Sequence, residues 1–413
     1  MTITIVFLSI IFLLIYLQKR RENNWINLIS ILMTPYFVLV FLNNFFVYKT
    51  GFYKINDSVL LMLLVSFLLF YVGGRVFNVR GAFLNQENEN LDKFNNYNMK
   101  SMIVFLYTIG IIALLKLLTL YLGGQFNASN VDTAEGIMGN GPVGHLLLCS
   151  YAILPIVFLY WTYTKKILHL IPVLLIFVAT FATLVKYNII GVFVSLFIFL
   201  LIYKKSILKR AVLVLVFAVL AIFIGNYTLT FAIKGVNVSS SFYLGHLWTY
   251  MSGSLIYDNY IFTKGIRIGI STGYKLMTFL SALPNMFINA ISGTKIFPHE
   301  RQQDLLISSF GENSNVVDAI GYLFPSKGNI SDIILYGMVI FIIGFIFTGI
   351  YKWGMKKSDM FNTFIANFLS YFVFFSFFGT FYINSSPWEI LVYSLIIPSL
   401  FFRTSKPFTI RLR

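Results

Sequence analysis

The stretch ISDIILYGMVIFIIGFIFTGIY, Ile330–Tyr351, decides the fold class. It carries a single charge, Asp332, near its start. At 1.5 Å of rise per residue, a helix of this length crosses the ~30 Å hydrocarbon core of a bilayer. Working outward from it, comparable apolar runs lie at 2–17, 25–48, 58–76, 101–122, 142–163, 167–185, 189–203, 211–228, 361–382 and 387–402. The chain of 413 residues is 58% apolar and only 11% charged, against about a quarter charged in soluble domains. The expectation is an all-α, polytopic integral membrane protein with about 11 transmembrane helices, one large extracytoplasmic loop and short helices within that loop. The division is 1–228 for the first eight spans, 229–329 for the loop, and 330–413 for the last three spans and a basic tail.

The net charge of +16 invites comparison with nucleic-acid-binding proteins. The basic residues, however, sit in small groups at the ends of apolar runs instead of along one polar face, so membrane topology accounts for them and no nucleic-acid partner is expected. Alternate connections hold very unequal numbers of Lys and Arg. One set, which includes Lys19, Arg20 and Arg21 and the C-terminal tail, holds twenty, and the other set of short connections holds three, Lys49, Lys54 and Lys186. Because positive charge is retained in the cytoplasm, this bias predicts an N-terminus outside, a C-terminus in the cytoplasm and an extracytoplasmic 229–329 segment. The sole cysteine, Cys149, allows no intramolecular disulfide.

Chemistry is expected in that long segment, which gathers seven basic and five acidic residues between Thr228 and Gly328. A G-x-G-x-x-G match at Gly139, Gly141 and Gly144 lacks the strand that dinucleotide binding needs, and Pro142 interrupts it. No P-loop, paired-cysteine or H-E-x-x-H pattern occurs, so no metal and no cofactor is expected. A short helix is predicted from Phe297 to Phe310, with Pro298 in its first turn and Gly311 as its stop. Helical spacing then sets Glu300 and Asp304 one turn apart, where two like charges raise a carboxyl pKa and suit one of them to accept a proton. His299 and Arg301 flank Glu300.

Two lysines stand out against the apolar spans. Lys116 lies within the fourth, where a charge either snorkels outward or marks a functional site. Lys186, in a very short outer turn, breaks the positive-inside pattern and suggests an anionic partner. With Arg267 and Arg301 it makes a cationic set suited to a phosphate or pyrophosphate headgroup.

Two stretches carry a family resemblance. The first is His246-Leu-Trp-Thr-Tyr250-Met-Ser-Gly253-Ser254-Leu-Ile-Tyr-Asp258-Asn259, and the second is Asn313-Ser-Asn315-Val316-Val317-Asp318, leading through Tyr322 and Gly328 into the next span. With the layout of many spans and one late outer loop, the chain resembles the Wzy-type O-antigen and capsular oligosaccharide repeat-unit polymerases. The resemblance implies a glycosyltransferase in the bacterial cytoplasmic (inner) membrane. Such an enzyme transfers a growing glycan from undecaprenyl diphosphate onto a lipid-linked repeat unit at the outer face, with a flippase and a chain-length regulator as further partners. Arg267, Arg301 and Lys186 would neutralise the diphosphate leaving group, and Glu300 or Asp258 would act as base. Lys116, His299, Asp304, Tyr250 and Asn315 would bind diphosphate or glycan. The family's R-x10-G pattern is not matched, since Gly311 follows Arg301 one residue early. Other readings of the same layout are an O-antigen-ligase-like transferase and, from a different class, a polysaccharide flippase or secondary transporter. Lack of internal repeats disfavours the transporter.

Overall fold

Apolar runs free of internal breakers form the longest helices of the computed structural model, which describes residues 1–76, 94, 96–124, 141–183, 186–203, 220–221, 223–225, 228, 240–263, 272–296, 304–325, 329–356, 362–379 and 383–402. In chain order the helices are α1 (Thr2–Glu22), α2 (Leu28–Phe45), α3 (Asp57–Arg75), α4 (Met99–Leu122), α5 (Gly141–Tyr151), α6 (Leu154–Thr164), α7 (Ile167–Ala182) and α8 (Lys186–Tyr203). There follow α9 (Ser240–Tyr257), α10 (Asn259–Thr263), α11 (Thr272–Leu280), α12 (Ala282–Ser292), α13 (Ala319–Leu323), α14 (Ile330–Lys356), α15 (Asn362–Phe368) and α16 (Ser385–Leu400). The protein is mostly helical. Among the described residues, α1, α2, α3, α4 and α14 are each long and apolar enough to cross a membrane, and the bent pair α5 and α6 makes a sixth if taken as one span.

The chain divides into two units. The first comprises Met1–Phe83, Ser239–Lys356 and Tyr371–Trp388. Its strongest helix pairing is α3 on α14, and glycine makes the approach possible. A side chain at Gly73 would strike the backbone of Phe341, and one at Gly344 would strike the backbone of Phe70. Helices in an apolar medium gain little from burying grease, so close backbone contact through small residues supplies the packing energy instead. Buried hydroxyls add to it where Ser66 and Tyr336 hydrogen-bond at 2.6 Å between these two helices.

The second unit comprises Leu84–Val238, Lys357–Ser370 and Glu389–Arg413, with α4 packed on α7 and α8 on α15. Proline shapes it. The run at 142–163, expected as one span, is broken into α5 and α6, which meet at 50°. Pro155 has no N–H to give the carbonyl four residues back, Tyr151, and that carbonyl accepts the Asn367 side chain at 3.4 Å. Pro172 within α7 likewise leaves the Leu168 carbonyl free, and the Tyr107 hydroxyl donates to it at 2.8 Å.

Other expectations change with the packing. The 361–382 run is regular only over α15, after which Leu369–Val373 form a π-turn and Phe374–Phe377 a 3₁₀ turn. Of the expected span at 211–228, only residues 220–221, 223–225 and 228 are described. Within 229–329, α9 is an 18-residue helix and not a short one. It is held to α2 by the Trp248 indole N–H, which donates to Asn43 at 3.0 Å.

The predicted helix to Phe310 is not formed over its described part. Leu305–Leu306 (β1) instead pairs antiparallel with Asn313–Ser314 (β2), in the register Leu305 to Ser314 and Leu306 to Asn313. Gly311 has φ of 98° and belongs to the hairpin turn, since a residue free of Cβ serves a left-handed turn as readily as a helix stop. The assembly is therefore not purely α-helical.

Candidate functional site

The first unit brings the two resembling stretches together. Helix α9 lies against β2. Along its length the Thr249 hydroxyl donates to Glu312 at 3.1 Å, and Gly253 faces the Ser314 side chain so closely that a Cβ there would lie 3.1 Å from its hydroxyl. Asp258, directly after the helix, meets Asp318. Residues some sixty positions apart in sequence thus form one contiguous strip.

The Asp258 and Asp318 carboxyls are both fully buried. Asp318 caps α13: its Oδ1 accepts the amide of Gly321 at 2.7 Å, and Oδ2 accepts that of Ile320 at 3.3 Å and the Tyr36 hydroxyl at 2.7 Å. These donors favour the ionised form and partly offset the upward push of burial on its pKa. Among the described residues, no amide or hydroxyl donates to either oxygen of Asp258. Burial and the neighbouring Asp318 charge raise its pKa well above the usual carboxylate range. The donors on Asp318 favour its ionised form, so Asp258, pushed upward by burial and by that charge, is the carboxyl of the pair that takes up a proton first. Gly321 is obligatory beside it, because a Cβ there would lie 2.5 and 2.6 Å from the Asp258 oxygens and 2.6 Å from Asp318 Oδ1.

A second, more accessible pair lies about three turns back along α9. His246 Nδ1 is 3.8 Å from Glu312 Oε2, with the two side chains 24% and 22% exposed. Rings surround the histidine. Phe242 stacks on it at 4.9 Å, Tyr250 meets it edge-on at 5.1 Å, and Tyr250 in turn stacks on Phe378 at 5.8 Å. At this distance the carboxylate does not hydrogen-bond the imidazole but lies close enough to favour its charged form, with flat apolar faces beside the ring.

Lys275 of α11 is completely buried. Its Nζ donates to the Phe324 carbonyl at 2.7 Å and lies 5.7 Å from the centre of the Tyr322 ring. Removal from water lowers its pKa to about 7.

The residues expected from sequence have mixed placements. Asp258 and Tyr250 fall in the strip just described, and Asn315, half-buried, lies in the turn between β2 and Asp318. Asp304 is exposed and immediately precedes β1, and its expected partner Glu300 lies outside the described residues. Arg267, His299, Glu300 and Arg301 lie outside the described residues. Lys186 and Lys116 belong to the second unit. Lys186 is the first residue of α8, and Lys116 is half-buried on α4, its carbonyl accepting the Thr119 hydroxyl at 2.7 Å. Among the described residues, no group of three or more His, Cys, Asp or Glu is placed to hold a metal ion.

Sequence reasoning missed His246, Glu312, Asp318 and Lys275 as a set. A usable signal existed for Asp318, since an Asx residue ahead of an apolar pentad is an N-cap pattern. For the others the pairing depends on the hairpin, which no local pattern announces. Comparison with protein-family models, with curated proteins and with solved structures finds no match.

Proposed function

We propose that this chain is a repeat-unit polymerase, a membrane glycosyltransferase. It transfers a growing glycan from undecaprenyl diphosphate to a lipid-linked repeat unit at the outer face of the bacterial cytoplasmic membrane. The observation that supports this reading is the packing of His246–Asn259 on Asn313–Asp318, the two stretches on which the family resemblance rests, into one strip with an accessible carboxylate–histidine pair. In this proposal the chain crosses the membrane eleven times with its N-terminus outside, as the twenty-to-three bias of Lys and Arg supports.

The reaction needs a base for the acceptor hydroxyl and cations for the departing diphosphate. Asp258 is too deeply buried to meet an acceptor, so its pairing with Asp318 holds the strip together. The base is the His246–Glu312 pair. The imidazole takes the hydroxyl proton, the oxygen attacks the anomeric carbon, and the bond from that carbon to the diphosphate breaks. Phe242, Tyr250 and Phe378 present faces to the C–H surfaces of sugar rings. Arg267 and Arg301, in the same long outer segment, neutralise the leaving diphosphate.

Gene deletion followed by electrophoresis of surface polysaccharide tests the proposal. Loss of a polymerase leaves single repeat units on the anchor. Long chains retained on the lipid carrier would indicate a ligase, and absence of any exported unit a flippase. His246→Ala and Glu312→Gln, expressed in the deletion strain at normal membrane levels, should leave the single-unit phenotype uncorrected. Arg267→Ala and Arg301→Ala should do the same.

A further inference from the structure

The segment from Gly51 to Asn56 joins a 3₁₀ turn to α3 with no regular structure beyond a single β-bridge, Phe52 to Ser308. Yet its backbone is fixed at almost every step. The Gly51 carbonyl accepts the Ser309 amide at 2.8 Å and the Ser309 hydroxyl at 3.1 Å, and the Tyr53 amide donates to the Ile307 carbonyl at 3.0 Å. Three asparagine side chains complete the clamp. Asn43 donates to the Tyr53 carbonyl at 3.1 Å. Asn44 bonds both the amide and the carbonyl of Ile55, at 2.9 and 3.0 Å. Asn259 accepts the Asn56 amide at 2.8 Å and donates to the Lys54 carbonyl at 2.7 Å.

A surface loop normally satisfies such groups with water at no cost in freedom. Fixing this one spends three buried or half-buried asparagines on backbone groups while its side chains Tyr53 and Lys54 remain exposed. The result is a rigid wall to an open pocket of about 440 Å³. Tyr48, Phe52, Tyr53 and Tyr260 supply aromatic surface, and Thr263 and Asn56 add polar edges. The Tyr260 ring is itself fixed by its hydroxyl, which donates to the Leu306 carbonyl at 2.5 Å. Lys54 Nζ stands 3.9 Å from the centre of the Tyr48 ring, and no acidic side chain lines the pocket among the described residues.

We propose that this pocket is a saccharide subsite for a pyranose bearing a carboxylate, a uronic-type sugar unit. The volume falls within the range of small-molecule sites, ~300–1,000 Å³. Aromatic faces suit the C–H surface of a pyranose ring. Among the described residues a single lysine, without an arginine fork beside it, faces the pocket, which matches one carboxylate and not a diphosphate, since that calls for several cations. Prior immobilisation of the wall means that binding does not have to order it, which is where weak sugar ligands otherwise lose affinity. Tyr53 and Lys54 are contact residues, and Asn259 is a positioning residue. The subsite rests on the polymerase reading for its place in a reaction, since it would hold one unit of the glycan being extended.

The test is equilibrium binding to the purified full chain in lipid nanodiscs, by saturation-transfer NMR. The probes are a disaccharide containing glucuronic acid and the neutral disaccharide with glucose in its place. The acidic probe should bind saturably and at least tenfold more tightly than the neutral one, a margin of about 1.4 kcal/mol. Lys54→Gln, an exposed change that leaves the clamp intact, should erase that preference. Tyr53→Ala should weaken both probes. Asn259, which also lines the pocket, holds the Asn56 amide and the Lys54 carbonyl, so Asn259→Ala loosens the wall and should weaken both probes alike, without changing the preference between them. Lack of saturable binding, equal affinity for both probes, or a preference that survives Lys54→Gln would each overturn the proposal. No lipid-linked substrate is present, so this result is separable from chain growth. Elongation without uronate binding refutes the subsite alone, and uronate binding without elongation refutes the polymerase reading alone.

Discussion

The buried pair makes an asymmetric prediction, that Asp258→Asn is tolerated and Asp318→Asn is not. Asp318 accepts three donors, the amides of Gly321 and Ile320 and the Tyr36 hydroxyl. Hydrogen bonds to a charged acceptor contribute ~1.5–3 kcal/mol each. Asparagine keeps one acceptor oxygen and turns an NH₂ group toward a donor, so at least one such bond is lost and one buried donor is left unpaired. The cost is on the order of 3 kcal/mol or more. Asp258 takes up the proton first and has no donor among the described residues to lose, so asparagine reproduces its shape and its lack of charge at a cost of ~1 kcal/mol or less. The amide can still donate to Asp318.

The pH dependence has a definite sign. The folded pKa of Asp258 is raised above its unfolded value of about 3.8, so above that pH the folded state binds more protons than the unfolded one, and stability falls as pH rises toward the folded pKa. Asp258→Asn abolishes this loss, so the variant should gain on the native protein as pH is raised from 4 to 7. Thermal unfolding of both variants in detergent, followed by tryptophan fluorescence across that range, measures it. Equal loss of Tm in the two variants, or a gap between Asp258→Asn and native protein that does not move with pH, would refute the assignment of the proton.

Three other expectations follow from the packing. Gly321→Ala drives a methyl group into three carboxyl oxygens and should destabilise by ~2–3 kcal/mol, at the upper end for overpacking, measurable by the same melts. Lys275, with its folded pKa lowered to about 7 from 10.5, makes native stability rise between pH 7 and 10, because the unfolded chain binds the extra proton there. Lys275→Met should flatten that rise in a Tm series at pH 7, 8 and 9. Asn367→Leu leaves the Tyr151 carbonyl and the Ser394 and Ser195 hydroxyls without the partner that now bonds all three. Its cost should reach ~2–4 kcal/mol, seen as a lower Tm in the same melts.

How much was legible in the sequence depended on whether the cause was local. The long helices α1, α3, α4 and α14 follow from apolar runs without proline, α2 continues through Pro35, and the run at Ile330–Tyr351 lies within α14. The break between α5 and α6 was foreshadowed by Pro155, but a proline kinks a helix only where a neighbour satisfies the freed carbonyl, and Asn367 lies more than two hundred positions away. The helix expected up to Phe310 was mistaken for a similar reason, since Gly311 serves a stop or a hairpin equally well and only the pairing of Leu306 with Asn313 decides between them. Asp258 was singled out on resemblance, whereas its burial and its partner Asp318 become visible only when α9 and the hairpin meet. His246 opens one of the resembling stretches, but no local pattern paired it with Glu312.

Chain elongation in a defined system tests the central claim most directly. The purified protein in nanodiscs is supplied with repeat units on undecaprenyl diphosphate and no nucleotide sugar, and the lipid-linked products are resolved by electrophoresis. The account predicts a ladder of products spaced by one repeat unit, with release of undecaprenyl diphosphate, and loss of the ladder in His246→Ala and Glu312→Gln. A preparation of folded protein that yields only the starting single units, or a ladder that both variants make at the native rate, would contradict it.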